Sequence, residues 1–355
     1  KRDNVSIPAA YVMRIYKLFR GEVLVLPGRI VVVLFCLILL VLPAITSQPF
    51  TLRVLILAGI FAIFAASWDL LSGFTGQVSL GHALFFGVAA YTAALLNMNI
   101  GLAPWATIPI GALAAVVAGL AVGIPCLRLR GIYLSFATLA FPLILAGVVL
   151  AIPSITGGEL GVFGIDPLSK SRVVTYYIII PSMMVLGFIM WKITDSKTGL
   201  IFHAIREDEV TARASGINTT RYKLLAFCLS GLFAGIAGGL YAHFLRGAGP
   251  STLELTLSFQ VIIWAVFGGI ATIYGPIAGV FILYPLTEFV LTRYLHVPQE
   301  AKMLILAFIV LLVLLFMPKG IATWLRDRTE KICPRCKLQN MATRTTCRVC
   351  MADLD

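Results

Sequence analysis

The chain has 355 residues, of which 59% are hydrophobic and 12% charged, with 28 Lys and Arg against 16 Asp and Glu. Soluble domains carry about a quarter charged residues, so this composition, with a mean hydropathy of +0.96, excludes a water-soluble globular protein. Apolar runs of about 20 residues, the length that crosses a bilayer, recur along the sequence. They predict an all-α polytopic membrane protein of about ten spans, with broken or re-entrant helices among them and a small zinc-ribbon-like C-terminal tail.

Taken in order, residues 1–22 come first. The chain opens on Lys1, which implies a trimmed start, and the small-residue cleavage site of a secretory signal is absent. In "AAYVMRIYKLFR" (9–20), Tyr11, Ile15, Tyr16 and Phe19 alternate with Arg14, Lys17 and Arg20, the pattern of an amphipathic segment on the cytoplasmic membrane surface. The transmembrane domain follows over 23–318. Its spans are predicted near 23–45, 52–71, 77–98, 103–126, 132–152, 173–193, 223–245, 258–273, 276–294 and 301–318. Ten spans put both termini on one side. With that side cytoplasmic, 22 of the 28 Lys and Arg fall inside, and only Arg53, Lys170, Arg172, Arg246, Arg293 and Lys302 fall outside. That asymmetry is the positive-inside pattern. The net charge of +12 therefore orients the chain in the bilayer and calls for no nucleic-acid partner.

The spans differ in character. Those at 23–45 and 301–318 are nearly all aliphatic and suit lipid. The segment 72–98 begins "SGFTGQVSLGHALFFGVAAYTAALL", with Thr75, Gln77, Ser79 and His82 among its glycines. Gly-broken backbone at membrane depth persists only where protein or water buries it, which predicts a broken helix lining an internal cavity. "VFGGIATIYGPIAGVF" (266–281) predicts a second, and paired interruptions point to a transport pathway. The alternative is that the glycines merely let helices pack closely. His82 has the same two faces: an intramembrane ionisable group marks function, yet a histidine beside glycine also satisfies freed backbone groups. Asp69 reads as a cavity group or a local cap, and Glu288 with Arg293 as a helical pair. His203, His243 and His296 sit near span ends without a clear signal. Cys36, Cys126 and Cys228 read as small packing residues.

Between spans, "PSITGGELGVFGIDPLSKSR" (153–172) is an external loop carrying Gly157 and Gly158. The loop 194–222, "TDSKTGLIFHAIREDEVTARASGINTTRY", predicts one helix over 199–215 stopped by Gly216. It is either a docking element for a partner or an ordinary solvated connection. After a basic linker (319–331), the tail 332–355 holds Cys333, Cys336, Cys347 and Cys350 in the spacing C-x2-C-x10-C-x2-C. Four thiolates form a closed tetrahedral site for structural Zn2+, with no open position for catalysis. Iron or redox chemistry is the alternative. Lys331, Arg335, Lys337, Arg344 and Arg348 surround the pairs, a basic surface for solvent, lipid, RNA or a partner protein.

Over residues 50–320 the motifs "GFTGQVSLGHALFFGVAAYTAALL", "LRLRGIYLSFATLAF", "SITGG" and "AIREDEVTARASGINTTRYKLLAF" leading into "SGLFAGIAGGLYAHF" resemble one family. It is that of the M-type membrane permease subunits of branched-chain amino-acid ABC importers, which also includes urea and short-chain amide permeases. The resemblance implies a multi-pass subunit of the prokaryotic plasma (inner) membrane, paired with a second, homologous permease and served by two ATPase subunits and an extracytoplasmic substrate-binding protein. Glu207, Asp208, Glu209, Ala212, Ala214 and Gly216 fall where the family has its ATPase-coupling helix, and Thr75, Gln77, Ser79, His82, Thr138, Gly157 and Gly158 are the expected pathway residues. No G-x-x-x-x-G-K-[ST] phosphate loop occurs, so ATP binding by this route is left to the partners. The competing classes are a urea or amide permease, an ion-coupled secondary transporter and a membrane enzyme built on the zinc site. The cysteine tail is not a feature the resemblance accounts for.

Overall fold

A computed structural model of the chain describes residues 27–46, 48–126, 129, 131–295, 297–317, 320–332, 339–341, 345 and 353. The predicted amphipathic segment 1–22 and Cys333, Cys336, Cys347 and Cys350 lie outside them. The chain divides into two compact units, one over Pro43–Ile321 and one combining Lys1–Leu42 with Ala322–Asp355.

The larger unit is helical. Its helices are α2 (Pro49–Trp68), α3 (Ala83–Ile100), α4 (Pro104–Cys126), α5 (Ile132–Ala151), α6 (Arg172–Thr194), α7 (Lys197–Glu207), α8 (Glu209–Ala214), α9 (Thr219–Leu245), α10 (Leu255–Gly268), α11 (Tyr274–Pro285) and α12 (Gln299–Phe316). Helix α1 (Pro27–Ile45) precedes them. Several starts follow from sequence: Pro49 and Pro104 begin α2 and α4, where the missing N–H costs nothing. Two helices run on into π-helical turns, α2 through Asp69–Gly73 and α11 through Leu286–Tyr294.

Among the described residues, seven helical segments are long and apolar enough to cross a membrane: Pro49–Gly73, Ala83–Ile100, Pro104–Cys126, Ile132–Ala151, Arg172–Thr194, Thr219–Leu245 and Tyr274–Tyr294. Seven, not ten, is the number these residues establish. The span expected over 258–273 is replaced by α10, only 14 residues long, which is short of a bilayer's thickness. It ends at the Gly268-Gly269 pair, and the chain re-enters helix at Tyr274.

Helix α2 and its π turn form the centre, buried continuously from Val54 to Gly73. A helix apolar all round suits either lipid or a protein interior, and here α2 is wrapped by α6, α9, α10 and α11. Beside it, α9 packs on α3 and α4 through its small residues. A Cβ on Gly235 would stand 2.7 Å from Ala112 Cα, and one on Gly238 would stand 2.2 Å from the Phe86 carbonyl oxygen. Small residues that bring backbones together are how helices associate where lipid removes the hydrophobic incentive. Aromatic rings fill the wider gaps: Phe61 packs on Phe86, Tyr241, Trp264 and Tyr284.

The 152–171 connection is pinned rather than loose. Strand β1 (Val162–Phe163) pairs antiparallel with β2 (Gly247–Ala248), just after α9. Asn97 donates to the carbonyl of Leu102 (2.7 Å) and to Asp166 Oδ2 (3.1 Å), and accepts from the Asp166 backbone N–H (2.8 Å). His243 Nδ1–H donates to the Asp166 carbonyl (2.7 Å), while Nε2 meets the Thr107 hydroxyl (2.6 Å).

In the smaller unit, α13 (Ile321–Thr329) stacks the Arg328 guanidinium over Trp324. A hairpin follows, β3 (Glu330–Ile332) against β4 (Gln339–Met341) in the register Glu330↔Met341, Lys331↔Asn340, Ile332↔Gln339.

Candidate translocation and docking site

Between the π turn and α3 the chain is not helical over 76–82, so the predicted interruption is present. Its polar residues hold it in place. Ser72 Oγ donates to the Gln77 carbonyl and accepts from the Ser79 N–H (3.0 and 3.1 Å). The Trp68 indole N–H donates to the Ser79 carbonyl (2.8 Å). Thr75 donates to the Leu71 carbonyl and accepts from Gln77 Nε2. Helix α5 contributes Thr138, whose hydroxyl accepts from the Leu80 N–H (3.2 Å), and Ser135, which donates to the Val78 carbonyl (2.8 Å). From α10, Ser258 accepts from the Ala83 N–H (2.9 Å). Freed backbone groups at membrane depth each cost several kcal/mol if unpaired, on the order of 2–7, and three other helices supply the partners.

His82 is fully buried. It lies 5.0 Å from the Phe64 ring, stacked, and edge-on to Phe85. Ser67 donates its one hydrogen to the Phe64 carbonyl (2.7 Å), so the 2.9 Å contact between Ser67 Oγ and His82 Nε2 requires the proton on Nε2. His82 Nδ1 and Gln77 Oε1 are then buried acceptors without a partner among the described residues. Of the expected pathway residues, Thr75, Gln77, Ser79, His82 and Thr138 are brought together and buried. Gly157 and Gly158 belong instead to the pinned 152–171 connection, where both take left-handed backbone at a turn (φ 73° and 59°).

The second interruption, 269–273, has a feature the sequence reading missed. Ala271 and Ile273 carry left-handed backbone (φ 59° and 43°), which costs roughly 1–3 kcal/mol each for a side chain with a Cβ. The buried carboxylate of Asp69, some 200 residues earlier, accepts all three N–H groups there. Its Oδ1 takes that of Ala271 (2.6 Å), and its Oδ2 takes those of Thr272 (3.0 Å) and Ile273 (3.2 Å). It thus ties the backbone just before α11 to the π turn that ends α2, and is not the local cap the sequence allowed.

The loop predicted as one helix over 199–215 is two. Asp208 adopts extended backbone (φ −154°) and separates α7 from α8. It caps α8, with Oδ1 accepting from the Val210 and Thr211 N–H groups and Oδ2 from the Thr211 hydroxyl. Those bonds, led by the Thr211 hydroxyl, hold its carboxyl below the usual carboxylate range. Gly216, in the left-handed region (φ 84°), ends the second helix as expected, with the Ile217 N–H reaching back to the Ala212 carbonyl. Glu209 joins α8 to the start of α9, accepting from Arg213 (2.8 Å) and Lys223 (2.6 Å). Partial burial pushes its carboxyl up, but the Lys223 ammonium, Thr219 and Arg213 outweigh this and hold it below the usual range. Ala212 packs inward, whereas Glu207, Asp208 and Ala214 are exposed. So are two apolar side chains that sequence reasoning passed over, Leu200 at 70% and Val210 at 69%.

The same loop touches the first interruption. Arg206 Nη1 donates to the Gly73 carbonyl (2.6 Å), and His203 packs on the Phe74 ring (5.0 Å). Burial, with the neighbouring Arg206, pushes the His203 imidazole below its ordinary range, so it is neutral at pH 7.

Comparison with known proteins fits this arrangement. The family described as branched-chain amino acid transport system / permease component matches residues 50–314. The high-affinity branched-chain amino acid transport system permease protein LivM of Escherichia coli (strain K12) is 30% identical over 345 residues, covering 88% of this chain and 78% of its own. Its counterpart in Salmonella typhimurium is 30% identical over 300 residues, 76% of this chain and 69% of the relative. A probable branched-chain amino acid transport permease protein LivH of Methanocaldococcus jannaschii is 27% identical over 255 residues, 66% and 79% of the two chains. No solved structure matches. With three quarters of its length matched and both interruptions and the capped loop inside the match, the chain belongs to the family of permease components of branched-chain amino acid transport systems.

Proposed function

We propose that this chain is one of two homologous permease subunits of an ATP-driven importer for branched-chain or related neutral amino acids in a prokaryotic plasma membrane. Both of its termini are cytoplasmic, on the side where most of its Lys and Arg fall. The observation that carries the reading is the 197–216 loop: two short capped helices fastened to the first interruption, within the matched region. One of two ATPase subunits docks there, with Leu200 and Val210 as apolar contacts flanked by Glu207 and Asp208, while an extracytoplasmic binding protein delivers the solute to the opposite face. The buried, unpartnered His82 Nδ1 and Gln77 Oε1 are acceptors available to an ammonium group once the pathway opens.

Purification of the tagged chain from its native membrane is expected to bring down two ATPase subunits and a second permease. In proteoliposomes the complex with its binding protein imports leucine only when ATP is present on the loop side. Import of urea in place of leucine would reassign the substrate to the amide class. Transport by the chain alone without ATP would overturn the importer.

In the tail, Cys333, Cys336, Cys347 and Cys350 bind structural Zn2+. Support comes from their spacing and from the β3–β4 pairing, which flanks the first Cys-x-x-Cys pair. Metal analysis of the purified chain is expected to find about one zinc per chain, the stoichiometry of a four-thiolate site. Cys333→Ser with Cys347→Ser loses it. Retention of zinc by that double variant would refute the assignment.

A further inference from the structure

We propose that Asp69 and Arg206 are positioning residues of one clamp that delivers movement of the 197–216 loop to both interrupted segments at once. The proposal rests on the docking role given to that loop.

The clamp is built in three contacts. Arg206, at the end of α7, donates from Nη1 to the Gly73 carbonyl, the last residue of the π turn. Its stem also lies against Gly76, where an added Cβ would stand 3.2 Å from Arg206 Cγ. Asp69 opens the same π turn, four residues before Gly73. Its carboxylate holds the N–H groups of Ala271, Thr272 and Ile273. Gly73 is the point where these parts meet: a Cβ there would stand 1.9 Å from Asp69 Oδ1 and 2.8 Å from the Ala271 nitrogen. No side chain fits between the turn and the second interruption, so the two move as one body or break contact.

A purely local account leaves part of this unexplained. Asp69 alone would hold the N–H groups of 271–273 whatever happened at the loop. Arg206, however, forms no hydrogen bond with 271–273 and reaches them only through Gly73, whose carbonyl it holds and which packs against Asp69 and the Ala271 nitrogen. A partly exposed arginine from the surface loop therefore reaches the turn that carries a fully buried acid. Two charge-assisted bonds in series are stiffer than neutral ones, and the intervening π turn offers a ready register change, a form that helices adopt at functional positions.

The test reads the link without needing transport. The full chain in lipid nanodiscs, unmodified and as Arg206→Met, Arg206→Lys and Asp69→Asn, is followed by amide hydrogen exchange at 271–273. Asp69→Asn loses one carboxylate acceptor and accelerates exchange there about tenfold or more, the factor a lost charged hydrogen bond gives. Arg206→Met accelerates the same amides, although it touches none of them, and Arg206→Lys, which keeps one donor for the Gly73 carbonyl, recovers most of the protection. If 271–273 exchange in Arg206→Met as in the unmodified chain, the clamp does not exist. Import by the complete complex is measured on the same variants. An unmodified complex that imports nothing counts against the importer alone, whereas accelerated exchange with import unaffected counts against the clamp's role in coupling.

Discussion

Gly81→Ala is expected to abolish import by preventing assembly of the first interruption. A Cβ at Gly81 would stand 1.8 Å from the Thr138 carbonyl oxygen, 2.6 Å from its carbon and 3.1 Å from Pro142 Cδ. The obstacle is helical backbone, so no rotamer change relieves it, and the segment must separate from α5. Separation breaks the Leu80–Thr138 and Val78–Ser135 hydrogen bonds and leaves those groups at membrane depth without partners. Overpacking alone costs about 1–3 kcal/mol, and each orphaned polar group adds about 1–3 kcal/mol. The comparison is Gly147→Ala on the same helix, where an added Cβ meets nothing within 4 Å. That change is expected to be neutral or to stabilise by up to about 1 kcal/mol, since alanine is the better helix former. Thermal unfolding in detergent separates the two. Equal melting temperatures would show that 76–82 is not held against α5.

The sequence made some of this legible and hid the rest for physical reasons. Glycine has two uses here, and its neighbours tell them apart. Where glycines alternate with Thr75, Gln77 and Ser79, the helix is interrupted. Where they stand among Ala and Phe, as in 231–239, the helix continues and packs closely. The break at 269–273 was visible in Gly268-Gly269, but apolar Ile270 and Ala271 carried the expected span across it, because hydropathy does not record backbone direction. Asp208 had a readable signal, an acidic cap with Thr211 three residues on, which helix-forming neighbours on both sides obscured. Asp69 and His243 had none. Their partners lie 202–204 and 77–136 positions away, and a lone acid or histidine near a span end looks the same whether it caps its own helix or another.

The 152–171 connection yields the last expectation. Asn97→Leu removes both side-chain hydrogen bonds by which the end of α3 holds this segment, and a third to the Leu102 carbonyl. It leaves the Leu102 carbonyl and the Asp166 N–H and carboxylate short of partners, a loss of about 1–3 kcal/mol. His243 still grips the Asp166 carbonyl from α9, so the chain folds, but the connection opens more often. Trypsin reports this directly, because Lys170 and Arg172 lie just beyond Asp166 and cleavage tracks the population of the open form. Nicking of Asn97→Leu there should quicken about tenfold, the factor that 1.4 kcal/mol gives. Asp166→Asn keeps an oxygen for Asn97 and its own N–H, so its rate should change little. A rigid connection is what docking of a binding protein on this face requires, since ordering a loose loop subtracts from affinity. Asn97→Leu should therefore need more binding protein to reach half-maximal import, while a saturating amount restores the rate. If trypsin cuts the two variants alike, the connection is held by the β1–β2 pairing and His243, and Asn97 is a bystander.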